Sequence, residues 1–276
     1  MSLSTAGVEQ AEIEALVTAI LQRYGYDFSH YARASFVRRV RHALNEEALP
    51  SVSALQAKLL RDPLAMRRFL TYLSVNVTAM FRDAEFYEVL RKQVIPWLRT
   101  YPFVRIWHAG CASGEEVYSM CILLEEEGIY DRCRIYATDL SEVVLHRARM
   151  ATYPLSLVQR YTANYHKAGG ELEFSRYYTA DQENAIIHER LKKNVVFSLH
   201  NLASDGSFNE FHLVCCRNVM IYFDEVLQGR VLTLFDQSLS RGGYLALGRR
   251  ETLRFSSLAQ TYTEIEGNVK IYRKPR

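Results

Sequence analysis

The sequence has few cysteines and no long apolar run. Its five cysteines are odd in number, form no pair of CxxC units and have no histidine at zinc-ligand spacing. We therefore expect reduced, structural cysteines and no metal site. No apolar stretch reaches the roughly 18 residues of a membrane helix, and the acidic start lacks the basic and apolar regions of a signal peptide. These absences predict a cytoplasmic protein without membrane insertion.

The chain also lacks a strong excess of either charge. Its 34 basic and 31 acidic residues give a net charge of +3, which argues against nucleic acid as an obligatory partner. Nearly half of its 276 residues are hydrophobic, as in soluble globular proteins. This length favours one large domain with a smaller one. We expect a monomer.

The first 75 residues have helical patterns. Apolar residues at helical spacing predict a helix over 9–24 that stops at Gly25, and a second over 31–44. Ser53 and Asp62 are expected to be the N-caps of two more helices, the second with Pro63 at its first position. The sequence therefore predicts an all-helical domain over residues 1–75.

Strand patterns replace this helical pattern after Pro102. The runs VRIWHAG, RIYATD, NVVFSLHNL and FHLVCCRN alternate with helical or loop segments, and this alternation predicts an α/β fold with a parallel sheet. Residues 153–193 fit it poorly, and we predict a small antiparallel insertion with strands at 172–174, 177–179 and 185–187. Gly267-Asn268 lies between two alternating runs and predicts a hairpin.

The segment VRIWHAGCASGEE, residues 104–116, predicts a strand, a turn of small residues and a helix starting near Glu115. Small residues let a ligand approach the backbone, and a helix N-terminus offers free N–H groups. The next strand ends in Asp139, where nucleotide-binding α/β folds place an acidic residue against ribose hydroxyls. A tight turn without a ligand, and a helix cap at Asp139, remain alternatives.

Polar residues also lie at other predicted strand ends and just before the sheet. Asn76, Thr78 and Arg82 are spaced two and four residues apart, and Asn76 and Thr78 could equally cap the next helix. Asn201, Arg217 and Asn218 follow two predicted strands, at the edge where open α/β sheets bind ligands. Tyr222 and Asp224 come soon after, and we expect Asp224 to cap the next helix.

These motifs resemble the chemotaxis receptor methyltransferases (CheR-type), which use S-adenosylmethionine. The resemblance covers nearly all of the chain and depends on SVNVTAMFRD, AGCASGEEVYS, IYATD, HNL and CRNVMIYFD, in that order. It implies a Rossmann-like methyltransferase domain over 76–276 with a small antiparallel β-subdomain, after the helical domain. The cofactor-binding residues that it implies are Asn76, Thr78, Arg82, Glu116, Asp139, Asn201, Leu202, Arg217 and Asn218.

The resemblance also implies a reaction centre and a substrate. Tyr222 would lie beside Arg82 at the centre, and the substrate would be glutamate side chains on the cytoplasmic helices of methyl-accepting chemotaxis receptors. Arg38, Arg39 and Arg41 would form a basic face for those acidic helices, although simple solvation explains three surface arginines as well.

Some positions depart from the family pattern. Met80 replaces a usual Phe, Val117 replaces a usual Pro, and the late Gly-His-Ser-Glu-type motif is here Gly-Arg-Arg-Glu, residues 248–251, with arginines at 249 and 250. These arginines bear on substrate preference more than on cofactor binding.

Three alternatives remain open. The chain could methylate a small molecule or nucleic acid, although it lacks a basic surplus. It could be a regulatory module that senses the cofactor without turnover. The β-insertion could dock a peptide at the receptor tail, although we expect a tail-independent enzyme because no feature indicates a peptide groove.

Overall fold

Four helices form the N-terminal part of the chain in a computed structural model that describes residues 5–73, 78–254, 256–266 and 268–276. They are α1 (Thr5–Tyr24), α2 (Arg33–Glu46), α3 (Val52–Arg61) and α4 (Pro63–Leu73). α1 starts four residues before the predicted position and ends before Gly25, whose φ of 76° suits a glycine. Leu16, Ile20, Val40 and Phe69 are buried together and form the core of this helical bundle.

The predicted cap of α3 was wrong by two residues. Ser51 has extended backbone, and its side chain accepts a hydrogen bond from Ala54 N. Ser53 therefore lies inside the first turn of the helix, where its hydroxyl donates to Glu12 instead. The prediction for the next helix is confirmed, because Pro63 opens α4 and Asp62 accepts a hydrogen bond from Leu64 N.

A seven-stranded sheet confirms the predicted α/β fold. Its strands are β1 (Val104–Ala109), β2 (Cys133–Asp139), β6 (Val195–Leu199), β7 (Phe211–Cys216), β8 (Leu239–Leu247), β9 (Thr263–Glu266) and β10 (Ile271–Arg273). They lie in the order β6-β2-β1-β7-β8-β10-β9. The first five are parallel, so their carboxyl ends meet at one edge. β10 is antiparallel to β8 and to β9, which confirms the predicted hairpin, although Gly267 lies outside the described residues.

Helices cover both faces of this sheet. They are α5 (Ala84–Val89), α6 (Ile95–Leu98), α7 (Glu115–Glu126), α8 (Glu142–Met150) and α10 (Glu225–Ser238), with a π-helical turn at Leu90–Val94. Because strand side chains alternate, Ile106 packs in the same core as α5 to α7 while Trp107 packs in the core with α10. None of the helices in the described part of the chain is long and apolar enough to cross a membrane.

The predicted insertion is a three-stranded antiparallel sheet, but its elements differ in part from the prediction. It contains β3 (Thr152–Pro154), α9 (Leu155–Lys167), β4 (Tyr178–Ala180) and β5 (Asn184–Ile187), with strand order β3-β5-β4. The strand predicted at 172–174 is wrong, because Phe174–Tyr177 forms a 3₁₀ turn that buries Phe174. The hydroxyls of Tyr165 and Tyr177 both donate to Glu126 of α7, which fixes the insertion to the sheet's helical layer.

The Glu47 carboxylate joins three helices of the bundle. It follows α2 and accepts hydrogen bonds from Arg68 and Tyr72 of α4 at 2.8 and 3.0 Å, and from Lys58 of α3 at 2.6 Å. The hydrogen bonds from Arg68 are the main reason that the pKa of Glu47 falls to about 2.

We expect Glu47→Gln to lower the free energy of unfolding at pH 7 by about 1–2 kcal/mol, because one charge-assisted contact to each helix weakens. A carboxylate with a lowered folded pKa stabilises above its unfolded pKa, so the difference from wild type should shrink between about pH 4.5 and pH 2. Urea unfolding at several pH values measures it. Glu46→Gln, at the exposed end of α2, is the charge-matched control, and an equal loss in both variants would contradict the assignment.

Candidate functional site

A cavity of about 210 Å³ opens at the carboxyl edge of the parallel strands. Nearly all of the side chains that the sequence predicted for the site line it, namely Thr78, Arg82, Glu116, Asp139, Asn201, Leu202, Arg217, Asn218 and Tyr222. Asn76 lies outside the described residues. Residues separated by about 140 positions in the sequence thus share one cavity, because the strand ends that carry most of them are adjacent in the sheet.

The turn after β1 forms one wall of the cavity. Gly110 has a φ of 76°, and a Cβ there would lie 2.5 Å from Cγ2 of Val219, so this position requires glycine. The N–H groups of Gly110 and Cys111 both donate to the Thr138 carbonyl, at 2.8 and 2.9 Å. α7 then begins at Glu115, as predicted. The turn is therefore fixed against the end of β2.

Asp139 joins the turns after β1 and β2. One carboxylate oxygen accepts from Ala112 N at 3.0 Å, and the other accepts from Ser141 N at 3.2 Å. Burial raises the pKa of Asp139, and these N–H groups oppose that rise. A carboxylate has about four acceptor positions, so Asp139 can fix both turns and still accept a hydrogen bond from a ligand in the cavity.

The floor of the cavity contains a buried charge network around Arg217, which follows β7. Its guanidinium donates to Glu116 at 2.9 Å and to Asp83 at 2.7 Å, and it lies 4.0 Å from the ring centre of Phe86. The other oxygen of Glu116 contacts His108 Nδ1 at 3.0 Å. Burial opposes ionisation of Glu116, but Arg217 and His108 together lower its pKa to about 2. Glu116 is therefore a carboxylate at neutral pH.

Glu251 holds the loop that follows β7, a role that the sequence did not reveal. Its carboxylate accepts backbone N–H groups from Gly248, Asn218, Val219 and Met220 at 2.6–2.9 Å. Four donors around one buried carboxyl indicate that it is ionised, although burial raises its pKa. The last residue of the Gly-Arg-Arg-Glu motif thus fixes Asn218, which has a left-handed φ of 63°, and the approach to Tyr222.

The helical bundle also contributes to the cavity. Tyr31 and Leu73 line it, and Tyr31 forms an isolated antiparallel bridge with Phe223. Ala32 N donates to the Tyr222 carbonyl at 2.8 Å, and Asp224 N donates to the His30 carbonyl at 2.9 Å. Residues 30–32 are therefore paired with residues 222–224, and we call this pair the interdomain strap. No sequence pattern predicted it, because a single bridge leaves no periodic signal.

The three arginines predicted to form a basic face do not share one environment. Arg39 lies over the Tyr222 ring, 5.9 Å from its centre, and its Nε is buried without a hydrogen-bond partner among the described residues. Arg41 instead forms a two-point ion pair with Glu9 of α1 at 2.8 Å. Arg38 is exposed. Of the three arginines, Arg39 thus contacts a residue that lines the cavity, whereas Arg38 and Arg41 lie on the exposed surface.

Arg249 and Arg250 are both exposed, but they differ in their partners. Arg249 donates to Glu85 at 2.7 Å and lies 3.8 Å from Asp83, so these carboxylates offset part of its charge.

Three potential metal ligands meet beneath the cavity. Ligand atoms of His108, Glu116 and Cys215 lie within 4.8 Å of one another. Arg217 already neutralises Glu116 and would repel a cation, and burial raises the pKa of the Cys215 thiol well above its usual range. We assign no metal to them.

Comparison with known proteins identifies the family. Residues 76–271 match the family described as CheR methyltransferase, SAM binding domain, and residues 11–74 match the CheR methyltransferase all-alpha domain. A putative methyltransferase Cher3 of Pseudomonas putida is 45% identical, over 95% of this chain and 96% of that protein. A chemotaxis protein methyltransferase of Listeria innocua is 30% identical, over 86% and 88%.

Among solved structures, the N-methyltransferase NodS from Bradyrhizobium japonicum, in complex with S-adenosyl-L-homocysteine, is similar with a TM-score of 0.42 and 14% identity, over 72% of this chain and 90% of that one.

The match to the family's SAM binding domain identifies an S-adenosylmethionine-dependent methyltransferase. This chain is a member of the CheR chemotaxis methyltransferase family.

The residues of the cavity suit this cofactor. S-adenosylmethionine presents an ammonium, ribose hydroxyls and a sulfonium, and the cavity offers the carboxylates of Glu116 and Asp139 as acceptors. The side chain of Asn201 is partly used, because its oxygen accepts from Ala203 N at 3.0 Å. Leu202 supplies an apolar surface beside it.

We expect Glu251→Gln to weaken S-adenosylmethionine binding at least about tenfold and to lower the free energy of unfolding by about 2 kcal/mol, because an amide NH₂ would face backbone donors. Isothermal calorimetry and thermal unfolding measure the two effects. Glu264→Gln, which breaks a pair with Lys270 in the terminal hairpin, is the control. Unchanged affinity in the Glu251 variant would show that the loop does not depend on this carboxylate.

Proposed function

We propose that this enzyme is a protein-glutamate O-methyltransferase that methylates the cytoplasmic helices of methyl-accepting chemotaxis receptors. The chief support is one arrangement: Arg82 and Tyr222 line the same cavity as Glu116 and Asp139, while Arg39 of the helical bundle lies against Tyr222. Relatives in Listeria innocua and Salmonella typhimurium bear the name chemotaxis protein methyltransferase. The names of these relatives favour a receptor substrate, and the arrangement of the side chains favours a carboxylate that approaches between the bundle and the sheet.

When bound, S-adenosylmethionine would supply an electrophilic methyl group: a carboxylate oxygen bonds to the methyl carbon in line as the carbon–sulfur bond breaks, which leaves a methyl ester and the neutral thioether S-adenosyl-L-homocysteine. A glutamate has a reference pKa of about 4.3, so it is ionised at neutral pH and needs no general base. The residues have to align it and exclude water. Arg82 and Tyr222 can orient a carboxylate by hydrogen bonding without removing a proton.

We assign cofactor binding to Asn76, Thr78, Arg82, Glu116, Asp139, Asn201, Leu202, Arg217 and Asn218. Within this set Glu116 and Asp139 are the acceptors. Arg217 has both terminal nitrogens bonded to carboxylates, so its main effect is to hold Glu116 in place.

We further propose that residues 1–75 recognise the receptor helix and that residues 76–276 bind the cofactor. Arg39 carries the strongest structural support, because it links α2 to Tyr222. Arg38 and Arg41 are more remote contacts, and Arg41 would have to leave Glu9 to meet an acidic helix. The interdomain strap would keep the helical surface in register with Tyr222.

A transfer assay with S-adenosyl[methyl-³H]methionine and a purified receptor cytoplasmic fragment tests the function. We expect label in the fragment that base treatment releases as methanol, as a carboxyl ester requires, and mass spectrometry should place it on glutamates. Base-stable label would contradict O-methylation. Cofactor binding without transfer to any receptor fragment would favour a cofactor-sensing module.

We expect Tyr222→Phe to lower kcat for receptor methylation about 10- to 100-fold, because the hydroxyl orients the substrate carboxylate. Its dissociation constant for S-adenosylmethionine should stay within about threefold of wild type. Steady-state kinetics and calorimetry measure the two quantities. Wild-type turnover in this variant would remove Tyr222 from the reaction centre.

We expect Arg39→Gln to raise KM for the receptor fragment about tenfold, because it removes the cation beside Tyr222. Arg41→Gln is the matched control on the same helix, and it should change KM by less than about threefold since its charge is already paired with Glu9. The salt dependence of KM should weaken in the Arg39 variant. An equal effect of both substitutions would support a diffuse basic surface instead.

A further inference from the structure

His108 is a buried imidazole with a single hydrogen-bond partner among the described residues. It lies on β1 with 1% of its surface exposed, and its Nδ1 contacts Glu116 at 3.0 Å. Its Nε2 is buried and lacks a partner in the described part of the chain. The side chain does not line the cavity, so any influence on a ligand has to pass through Glu116.

The hydrogen bond to Glu116 fixes the donor atom of His108. A carboxylate oxygen only accepts hydrogen bonds, so Nδ1 carries a proton and donates it. Nε2 stays buried without a hydrogen-bond partner among the described residues, and an unsatisfied buried polar atom is unfavourable. An aliphatic side chain would avoid that cost, which indicates that the contact with Glu116 is the reason for an imidazole at this position.

Two donors hold Glu116 from opposite sides. Arg217, after β7, binds one oxygen at 2.9 Å, and His108, on the adjacent strand β1, binds the other at 3.0 Å. A carboxylate bound at one oxygen can turn about that contact. With both oxygens bound to rigid strands, the carboxylate has one orientation toward the cavity.

We propose that His108 is a positioning residue for S-adenosylmethionine binding. Its Nδ1–H sets the orientation of the Glu116 carboxylate. The inference depends on the proposed role of Glu116 as a cofactor ligand. It is independent of the receptor substrate.

Calorimetric titration of the full chain with S-adenosylmethionine tests the role of His108 in four single variants and one double variant. His108→Leu removes the donor, and His108→Asn restores an N–H donor close to the position of Nδ1. Glu116→Gln tests the ligand itself. His212→Leu is the matched control: His212 is also buried, its Nδ1 accepts one hydrogen bond from Arg105 N among the described residues, and it lies on β7 at the opposite end of the sheet from the cavity.

We expect His108→Leu to raise the dissociation constant about tenfold, with His108→Asn and His212→Leu within about threefold of wild type. In the transfer assay, His108→Leu should raise KM for the cofactor with kcat at saturation nearly unchanged. The double variant His108→Leu/Glu116→Gln should bind no more weakly than Glu116→Gln alone, because the two residues act as one unit.

The outcomes separate the two claims. If Glu116→Gln binds S-adenosylmethionine weakly but His108→Leu binds it like the wild type, the role of His108 is wrong and that of Glu116 stands. The role of His108 is also wrong if His108→Asn binds the cofactor as weakly as His108→Leu. Wild-type affinity in Glu116→Gln overturns the assignment of Glu116 and the inference that depends on it. Failure of receptor methylation affects neither result.

Discussion

The buried guanidinium of Arg217 connects the elements that form the site. It lies at the end of β7 and binds Glu116 at the start of α7 and Asp83 just before α5. A charge so deeply buried is stable only because two carboxylates and the face of Phe86 surround it. Removing either carboxylate would leave an uncompensated charge under the cavity, so the position of three chain segments depends on this one group.

Two other carboxylates fix loops at the carboxyl edge of the sheet by accepting backbone N–H groups. Asp139 binds the turns after β1 and β2, and Glu251 binds the loop after β7 through four backbone N–H groups. These are backbone donors that a strand or helix cannot satisfy at its end. These hydrogen bonds fix the loops of the carboxyl edge where a cofactor would lie. The bundle adds Tyr31 and the interdomain strap, which place α2 and its Arg39 beside Tyr222.

The strands and the polar residues at their ends were predictable because each leaves a local signal. The β-branched runs before Gly110, Asp139 and Arg217 became β1, β2 and β7, and adjacent parallel strands bring their ends together. The error at Ser53 arose because Ser51 is an equally good cap only two residues away. The error at 172–174 arose because a short apolar run suits a buried 3₁₀ turn as well as a strand.

The groups that support the site were not predictable in this way. Glu251 binds the loop after β7 from 33 residues away in the sequence, and Tyr31 contacts that loop from about 190 residues away. His108 lies in a strand pattern that gives no sign of its contact with Glu116. The three arginines of α2 have different partners because helical spacing fixes the direction of a side chain but not its partner, and Glu9 of another helix binds Arg41.

A crystal structure with S-adenosyl-L-homocysteine bound would test the central claim most directly. The account predicts that the ligand occupies the cavity between Glu116 and Asp139, with the contacts from Arg217 and His108 to Glu116 intact and Tyr222 beside the sulfur. A ligand bound elsewhere, or an Arg217 that leaves Glu116 to contact the ligand, would contradict it.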